Sequence, residues 1–211
     1  TNIALDLVGH SRTTLTYAGE VEGKGRTEDD LAYLRSVRDY RNVLLCELPN
    51  GDYGVTIMRQ FLFDAFNLPF HQALTQSKDE TLAGYAAKTV KEAQYHLRHS
   101  ADWMAGLGDG AKESHDRRTA ALDELWMFAG EFFVADEVDQ ILVEAGIGVD
   151  LKAVKAEWDE TVKTVLAEAT LTQPAEGWGQ TGGKQGRHSE HLGFLLAELQ
   201  YMQRAYPGAT W

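Results

Sequence analysis

Residues 79–110 read DETLAGYAAKTVKEAQYHLRHSADWMAGLGDG, and the spacing of their small and apolar side chains decides the fold. These side chains recur at steps of three and four residues, at Leu82, Ala86, Val90, Ala93, Leu97, Ser100, Met104 and Leu107. Such a period is typical of an amphipathic α-helix with one buried stripe. Glycines at 108 and 110 follow the last of them and predict the C-terminal end of this helix.

Similar apolar patterns on both sides of this stretch predict further helices. They cover residues 1–18, 31–37, 53–77, 113–134, 136–145, 151–171 and 188–205. Pro69 is expected to kink or end the third of them, because proline lacks an amide hydrogen. Alternation with a period of two, which indicates strands, is almost absent. The sequence therefore predicts an all-α fold, an antiparallel helix bundle in one domain over residues 1–211, with the first helix truncated at its N-terminus.

Composition and charge exclude several classes of protein. The net charge of −12 argues against nucleic-acid binding, which needs a basic surface. No apolar run approaches the roughly 20 residues of a membrane-spanning helix, so no membrane contact is predicted. A single cysteine, Cys46, allows no internal disulfide and fits a reducing cytoplasm. Its leucine neighbours predict a buried apolar thiol rather than a nucleophile.

A glutamate and histidines on one face of a long helix raise the question of a metal centre. Ferritin-like di-iron bundles use a lone carboxylate on each of two helices and Glu-x-x-His on each of two others. None of the seven histidines here has a carboxylate three residues before it. The sequence therefore predicts a bundle with no metal site, no cofactor and no catalytic residue of its own.

Five side chains remain as vestigial metal-ligand candidates, namely Glu92, His96, Glu131, His188 and His191. Glu92 precedes His96 by four residues, which is equally the spacing of a hydrogen-bonded pair on one helix face. His188 and His191 equally fit a polar cluster at the start of a helix. The alternative to a metal-free chain is a stand-alone di-iron or manganese oxidoreductase with this non-standard ligand set.

Two basic segments are candidates for binding a substrate or another anion. Their candidate residues are Arg38, Asp39, Tyr40, Arg41 and Asn42 in the first, and Lys184 and Arg187 in the second. The second segment, TGGKQGR, leads into the last predicted helix, whose N-terminal amides favour anions. It lacks the spacing of a Walker A loop. The alternatives are a surface ion-pair cluster for the first segment and a structural loop for the second.

Five stretches of the chain closely resemble one family. They are TNIALDLVGHSR at 1–12, LLCELPNGDYGVTIMRQFLFDA at 44–65, KEAQYHLRHS at 91–100, ELWMFAGEFFVADEVD at 124–139 and TGGKQGRHSEHLGFLLAELQYMQRAYPG at 181–208. The family is that of the structural, non-catalytic C subunits of bacterial ring-1,2-phenylacetyl-CoA epoxidases. The resemblance runs along essentially the whole chain, and its last block is the most specific.

The resemblance implies a ferritin-like bundle with extra helices that scaffolds a homologous catalytic partner. That partner is expected to carry the di-iron centre and to bind the CoA ester, and a contact between the ester and this chain is left open. Further small subunits and a reductase complete the expected complex, which epoxidises phenylacetyl-CoA in aerobic phenylacetate degradation. Aromatic residues around 61–70 and 126–133 are the expected interface. A weaker third hypothesis is an anion-binding module that acts through Lys184 and Arg187.

Overall fold

The computed structural model describes residues 2–108, 112–175 and 177–209, most of which are helical and none of which lies in a strand. The predicted all-α fold is therefore confirmed. The chain forms two compact units, Asn50–Thr181 and Thr1–Pro49 with Gly182–Trp211. We call them the bundle unit and the terminal unit. A single domain over residues 1–211 stays a prediction.

Eight α-helices are described. The terminal unit contains α1 (Asn2–Glu22), α2 (Glu28–Tyr33) and α8 (Glu190–Ala205), and the bundle unit contains α3 (Tyr53–Leu74), α4 (Glu80–Gly108), α5 (Lys112–Ala129), α6 (Glu137–Glu144) and α7 (Leu151–Glu168). Short 3₁₀ turns cover Val37–Asp39, Leu44–Glu47, Gly130–Phe133 and Gly183–Gln185. Helix α4 begins within one residue of its predicted start, whereas its predicted stop falls partly on residues 109–110, outside the described ranges.

Helix α3 is the central element of the bundle unit. It packs against α4, α5 and α7, and its buried side chains include Phe61, Leu62 and Ala65. A helix that is apolar on nearly every side must be surrounded by other elements. Pro69 does not end this helix, which continues to Leu74. Packing on several sides stabilises the helix enough to outweigh the one backbone hydrogen bond that proline removes.

An aromatic cluster joins α3 to the elements around it. The rings of Phe66 and Phe132 stack with centroids 4.8 Å apart, and those of Phe133 and Trp158 lie 5.4 Å apart, edge to face. Phe132 is buried, and the helix predicted over 113–134 ends early, at Ala129, where a 3₁₀ turn over Gly130–Phe133 follows. These rings pack against one another within the unit, where Phe132 is buried and Phe66 and Phe133 are half-buried, so the expected aromatic interface stays a prediction.

The terminal unit is built around short turns packed on α8. Helix α2 begins with a capping box in which Thr27 and Asp30 bond each other's backbone amides. In the 3₁₀ turn Leu44–Glu47, residues 44, 45 and 47 are buried, whereas Cys46 is exposed. The predicted burial of the cysteine is wrong because a 3₁₀ turn has three residues per turn, so one position in three points outward.

None of the helices in the described ranges is both long and apolar enough to cross a membrane. This agrees with the absence of a long apolar run in the sequence.

We expect Trp158→Phe to lower the free energy of unfolding by about 1–3 kcal/mol, because a buried hydrogen bond and part of a buried ring are lost. The indole Nε1–H of Trp158 donates to the Leu62 carbonyl oxygen at 3.0 Å. Trp178 is 74% exposed, so Trp178→Phe is the matched control and should change stability little. Urea unfolding measures both variants, and equal effects of the two would contradict this packing.

Candidate functional site

A group of polar side chains lies buried inside the bundle unit. Asp64 of α3 is 1% exposed, and His96 and Ser100 of α4 are both 0% exposed. The Ser100 hydroxyl donates to Asp64 Oδ2 at 2.8 Å, and Gln60 Nε2–H donates to Asp64 Oδ1 at 2.7 Å. His96 and Ser100 are four residues apart, so the helical repeat places both on the face of α4 that meets Asp64. We call these four side chains the Asp64 group.

Burial controls the protonation of the Asp64 carboxyl group. Loss of hydration raises the pKa of Asp64 from 3.8 to about 6, although the hydrogen bonds from Ser100 and Gln60 and the nearby His96 favour the ionised form. The largest effect is therefore desolvation, which disfavours a charge in a low-dielectric interior. At neutral pH the hydroxyl and amide groups donate to both oxygens of this carboxylate.

The donor set of the bundle unit does not fit a di-iron centre. Such a centre needs several carboxylates and two histidines around one point. Across the described ranges, no three His, Cys, Asp or Glu side chains come together in a way that could hold a metal ion. Glu131 is buried, whereas Glu92 is only half-buried.

The five vestigial candidates are also divided between the two units. His188 and His191 belong to the terminal unit, and Glu92, His96 and Glu131 belong to the bundle unit. The structure therefore does not assemble the non-standard ligand set into one cluster within either unit. Among the five, only His96 takes part in the Asp64 group.

A second buried polar network, centred on Glu47, holds the terminal unit together. Glu47 Oε2 accepts from the backbone amide of Ser189 at 2.8 Å and from its hydroxyl at 2.7 Å. Glu47 Oε1 pairs with His188 Nδ1 at 2.5 Å and accepts from Asn42 Nδ2 at 2.9 Å. Both side chains of the Glu47–His188 pair are almost fully buried. Leaving either side chain without the other would place an unsatisfied polar group inside the unit, which is destabilising.

Both ring nitrogens of His188 have oxygen partners. Nε2 lies 3.1 Å from the Tyr40 carbonyl oxygen, and Nδ1 faces Glu47, so the ring is held from two sides. His188 and Asn42 could be named from the sequence, whereas Glu47 was missed, because its only local signal is a carboxylate inside an otherwise apolar run.

Most of the first basic segment has a structural role. Asp39 accepts from the hydroxyl and amide of Ser36, and these bonds lower the pKa of Asp39. The Tyr40 hydroxyl donates to the Ala32 carbonyl oxygen, and Arg41 donates to the carbonyl oxygens of Arg38 at 2.6 Å and Tyr40 at 2.8 Å. These contacts fold the segment onto itself, so they leave little of it for a ligand.

Arg38 and Arg187 differ from the rest of the predicted anion site. Both are exposed, and both line an open cleft of roughly 700 Å³ together with Gly186 and Ser189. Their guanidinium groups make no hydrogen bond or ion pair with any residue that the structure describes. Lys184 is half-buried in the 3₁₀ turn and does not line this cleft. The structure thus brings together one cation from each predicted segment.

A glycine makes this arrangement possible. A Cβ atom on Gly183 would lie 2.0 Å from the Asn42 carbonyl oxygen, so only glycine lets the two segments approach this closely.

We expect Asp64→Asn to remove a pH dependence of stability. The raised pKa means that the folded chain holds the Asp64 proton more tightly than the unfolded chain. Protonation of Asp64 therefore stabilises the folded chain fully below about pH 4, and this stabilisation is lost as pH rises through about 6. The free energy of unfolding changes by about 3 kcal/mol in all.

Unfolding free energies of wild type and Asp64→Asn between pH 4 and pH 7 measure this effect. Relative to the variant, wild type should lose about 2 kcal/mol across that range. Asp123→Asn, at an exposed position, is the control and should follow wild type. If the difference in unfolding free energy between wild type and Asp64→Asn does not change with pH, titration of Asp64 is not the cause of the pH dependence.

Comparison with known proteins agrees with this architecture. The model of a family described as "Phenylacetic acid catabolic protein" matches residues 1–211. A protein of Escherichia coli K12 that is named as the C subunit of 1,2-phenylacetyl-CoA epoxidase is 46% identical over 210 residues, which span 100% of this chain and 84% of that protein. The family match and this identity along the whole chain show that the chain belongs to the phenylacetic acid catabolic protein family.

Proposed function

We propose that this chain is the structural, non-catalytic C subunit of a multisubunit 1,2-phenylacetyl-CoA epoxidase that acts in aerobic phenylacetate degradation. The observation that carries the proposal is the 46% identity, along the whole chain, to a protein named as that subunit. Its partner is a homologous catalytic subunit with a di-iron centre, joined by further small subunits and a reductase. A cytoplasmic location is part of the same proposal and rests on the single cysteine.

The Asp64 group supports a scaffolding role. A catalytic di-iron bundle must bury several carboxylates, and each destabilises the fold unless a cation is bound. Here one carboxylate is held by Ser100 and Gln60, without a cluster of further ligands among the described residues. Such a bundle is stable without metal and can pack beside a catalytic one. It then stiffens the complex without performing chemistry.

The Arg38–Arg187 cleft is proposed to bind an anionic group of the substrate. Two exposed guanidinium groups with no partner among the described residues are available to bind a phosphate with charge-assisted hydrogen bonds. The N-terminus of α8 begins beside Ser189, which lines the same cleft, and adds partial positive charge. In the assembled complex this group would be a phosphate of the CoA ester.

We expect the chain to be required for epoxidation but to contribute no catalytic residue. The test uses the chain co-expressed with the remaining subunits, and it measures complex recovery and phenylacetyl-CoA turnover. The double variant Asp64→Asn with His96→Gln should assemble and keep kcat within about twofold of wild type, since removing a catalytic group typically costs about 10²-fold or more. A loss of about a hundredfold in a fully assembled complex would show that this bundle takes part in chemistry.

We expect Arg38→Ala with Arg187→Ala to raise KM for phenylacetyl-CoA by about tenfold or more, since a hydrogen bond to a charged group contributes about 1.5–3 kcal/mol. The kcat value should change little, because the cleft holds no reacting atom. Lys163→Ala removes a cation at an exposed position of α7 and is the matched control. If the double variant and the control have the same KM, the cleft does not bind substrate.

A further inference from the structure

Helix α8 has apolar side chains on two different faces. Leu192, Leu196 and Gln200 are buried at steps of four residues and form the face that packs within the terminal unit. The outward face also carries large apolar side chains, and the exposed fractions are 70% for Phe194, 47% for Leu195, 48% for Leu199, 61% for Tyr201, 43% for Met202 and 53% for Tyr206. Large apolar side chains clustered on an exposed surface mark a site of interaction with another protein.

The outward apolar side chains form one continuous surface. With 100° of rotation per residue, the side chains from Phe194 to Met202 span an arc of about 160°, beside the buried stripe. At roughly 200 Å² per large side chain, the exposed fractions add up to roughly 600 Å². A standard protein interface buries about 800 Å² on each partner. This face alone therefore supplies most of one side of a stable interface.

The charge of the chain is distributed very unevenly. The terminal unit, which contains α8, has nine Lys and Arg against ten Asp and Glu, a net charge of −1. The bundle unit has eleven Lys and Arg against twenty-two Asp and Glu, a net charge of −11. Two copies of a chain with net charge −12 repel each other, so the charge favours a different protein over a second copy.

One carboxylate interrupts this face. Glu198 lies four residues from Phe194 and Met202 and three residues from Leu195 and Tyr201, so apolar side chains surround it on the helix surface. It is exposed, and it makes no hydrogen bond or ion pair with any residue in the described ranges. Covering this face without a cation would bury an uncompensated charge, which is strongly unfavourable. The covering protein must therefore supply an arginine or a lysine.

We infer that the outward face of α8 docks a different subunit of the same complex, which covers Phe194–Met202 with an apolar surface and pairs an arginine or lysine with Glu198. This inference rests on the proposed function. An open cleft of about 360 Å³ beside Ala197, Tyr201 and Arg204 gives a side chain of that subunit room to insert. The lone carboxylate selects a basic partner, and the apolar surface supplies most of the binding energy.

The test is recovery of the other subunits on a tag carried by this chain after co-expression of the whole complex. Leu199→Asp adds a charge to the apolar face and Glu198→Arg reverses the pairing charge, so each should reduce recovery at least tenfold. The more conservative Glu198→Gln removes only the charge, so it should give a smaller reduction. Both positions are exposed, so circular dichroism of the three isolated variants should match wild type.

Matched controls come from the bundle unit. Ile141→Asp changes an apolar side chain of α6 that is 57% exposed, and Glu160→Arg reverses an exposed charge on α7. Both should recover the other subunits as wild type does. Full recovery with Leu199→Asp and Glu198→Arg would overturn the α8 inference while leaving the proposed function intact.

Two further outcomes separate the remaining possibilities. If wild type recovers no other subunit, the proposed function itself fails. If sedimentation of the isolated chain shows a dimer that Leu199→Asp dissociates, the occupant of this face is a second copy, and the inference of a different subunit is overturned.

Discussion

The carboxyl group of Asp64 lies inside a helix bundle, where neighbouring side chains satisfy both of its oxygens. Ser100 and Gln60 donate to the two oxygens, and burial raises the pKa of Asp64 to about 6. In a metal-binding bundle a cation would offset the same charge. Here hydrogen bonds and, below neutral pH, a proton have that role. The proposed scaffolding role requires this property, because the interior must be stable without a ligand.

The terminal unit also buries polar side chains that satisfy one another, but the central pair is different. Glu47 and His188 are buried side by side, and their remaining hydrogen bonds reach Asn42, Ser189 and the Tyr40 carbonyl. This network ties the segment before α3 to the start of α8. It therefore determines where Arg187 lies relative to Arg38, and it positions the helix that carries the outward apolar face. This polar network orders the interior of the unit, and the positions of its two proposed binding surfaces depend on it.

The helices could be predicted from sequence because their signal is local. The period of apolar residues in 79–110 located α4 to within one residue at its start, and the missing Glu-x-x-His motif could be seen without coordinates. The burial of Glu47 could not be predicted, because His188 is 141 residues away along the chain. Cys46 was misassigned for a related reason, since a 3₁₀ turn and a helix expose different positions of one apolar run.

In the candidate site too, local sequence predicts some features and only the folded chain shows the others. Arg38 and Arg187 were each named from local composition, but only the folded chain shows that they share one cleft while Asp39, Tyr40 and Arg41 fold the segment. The apolar outward face of α8 was hidden in the sequence, because Leu192 and Leu199 look alike until one is buried and the other is 48% exposed. Tertiary packing, rather than local pattern, decides which apolar side chains remain for a partner.

We propose above all that the bundle interior holds no di-iron centre, and metal content tests this most directly. Elemental analysis of the purified chain after expression in iron-replete medium should give less than about a tenth of an iron per chain, since a di-iron site would bind about two. Close to two irons per chain, lost on His96→Ala, would contradict the account.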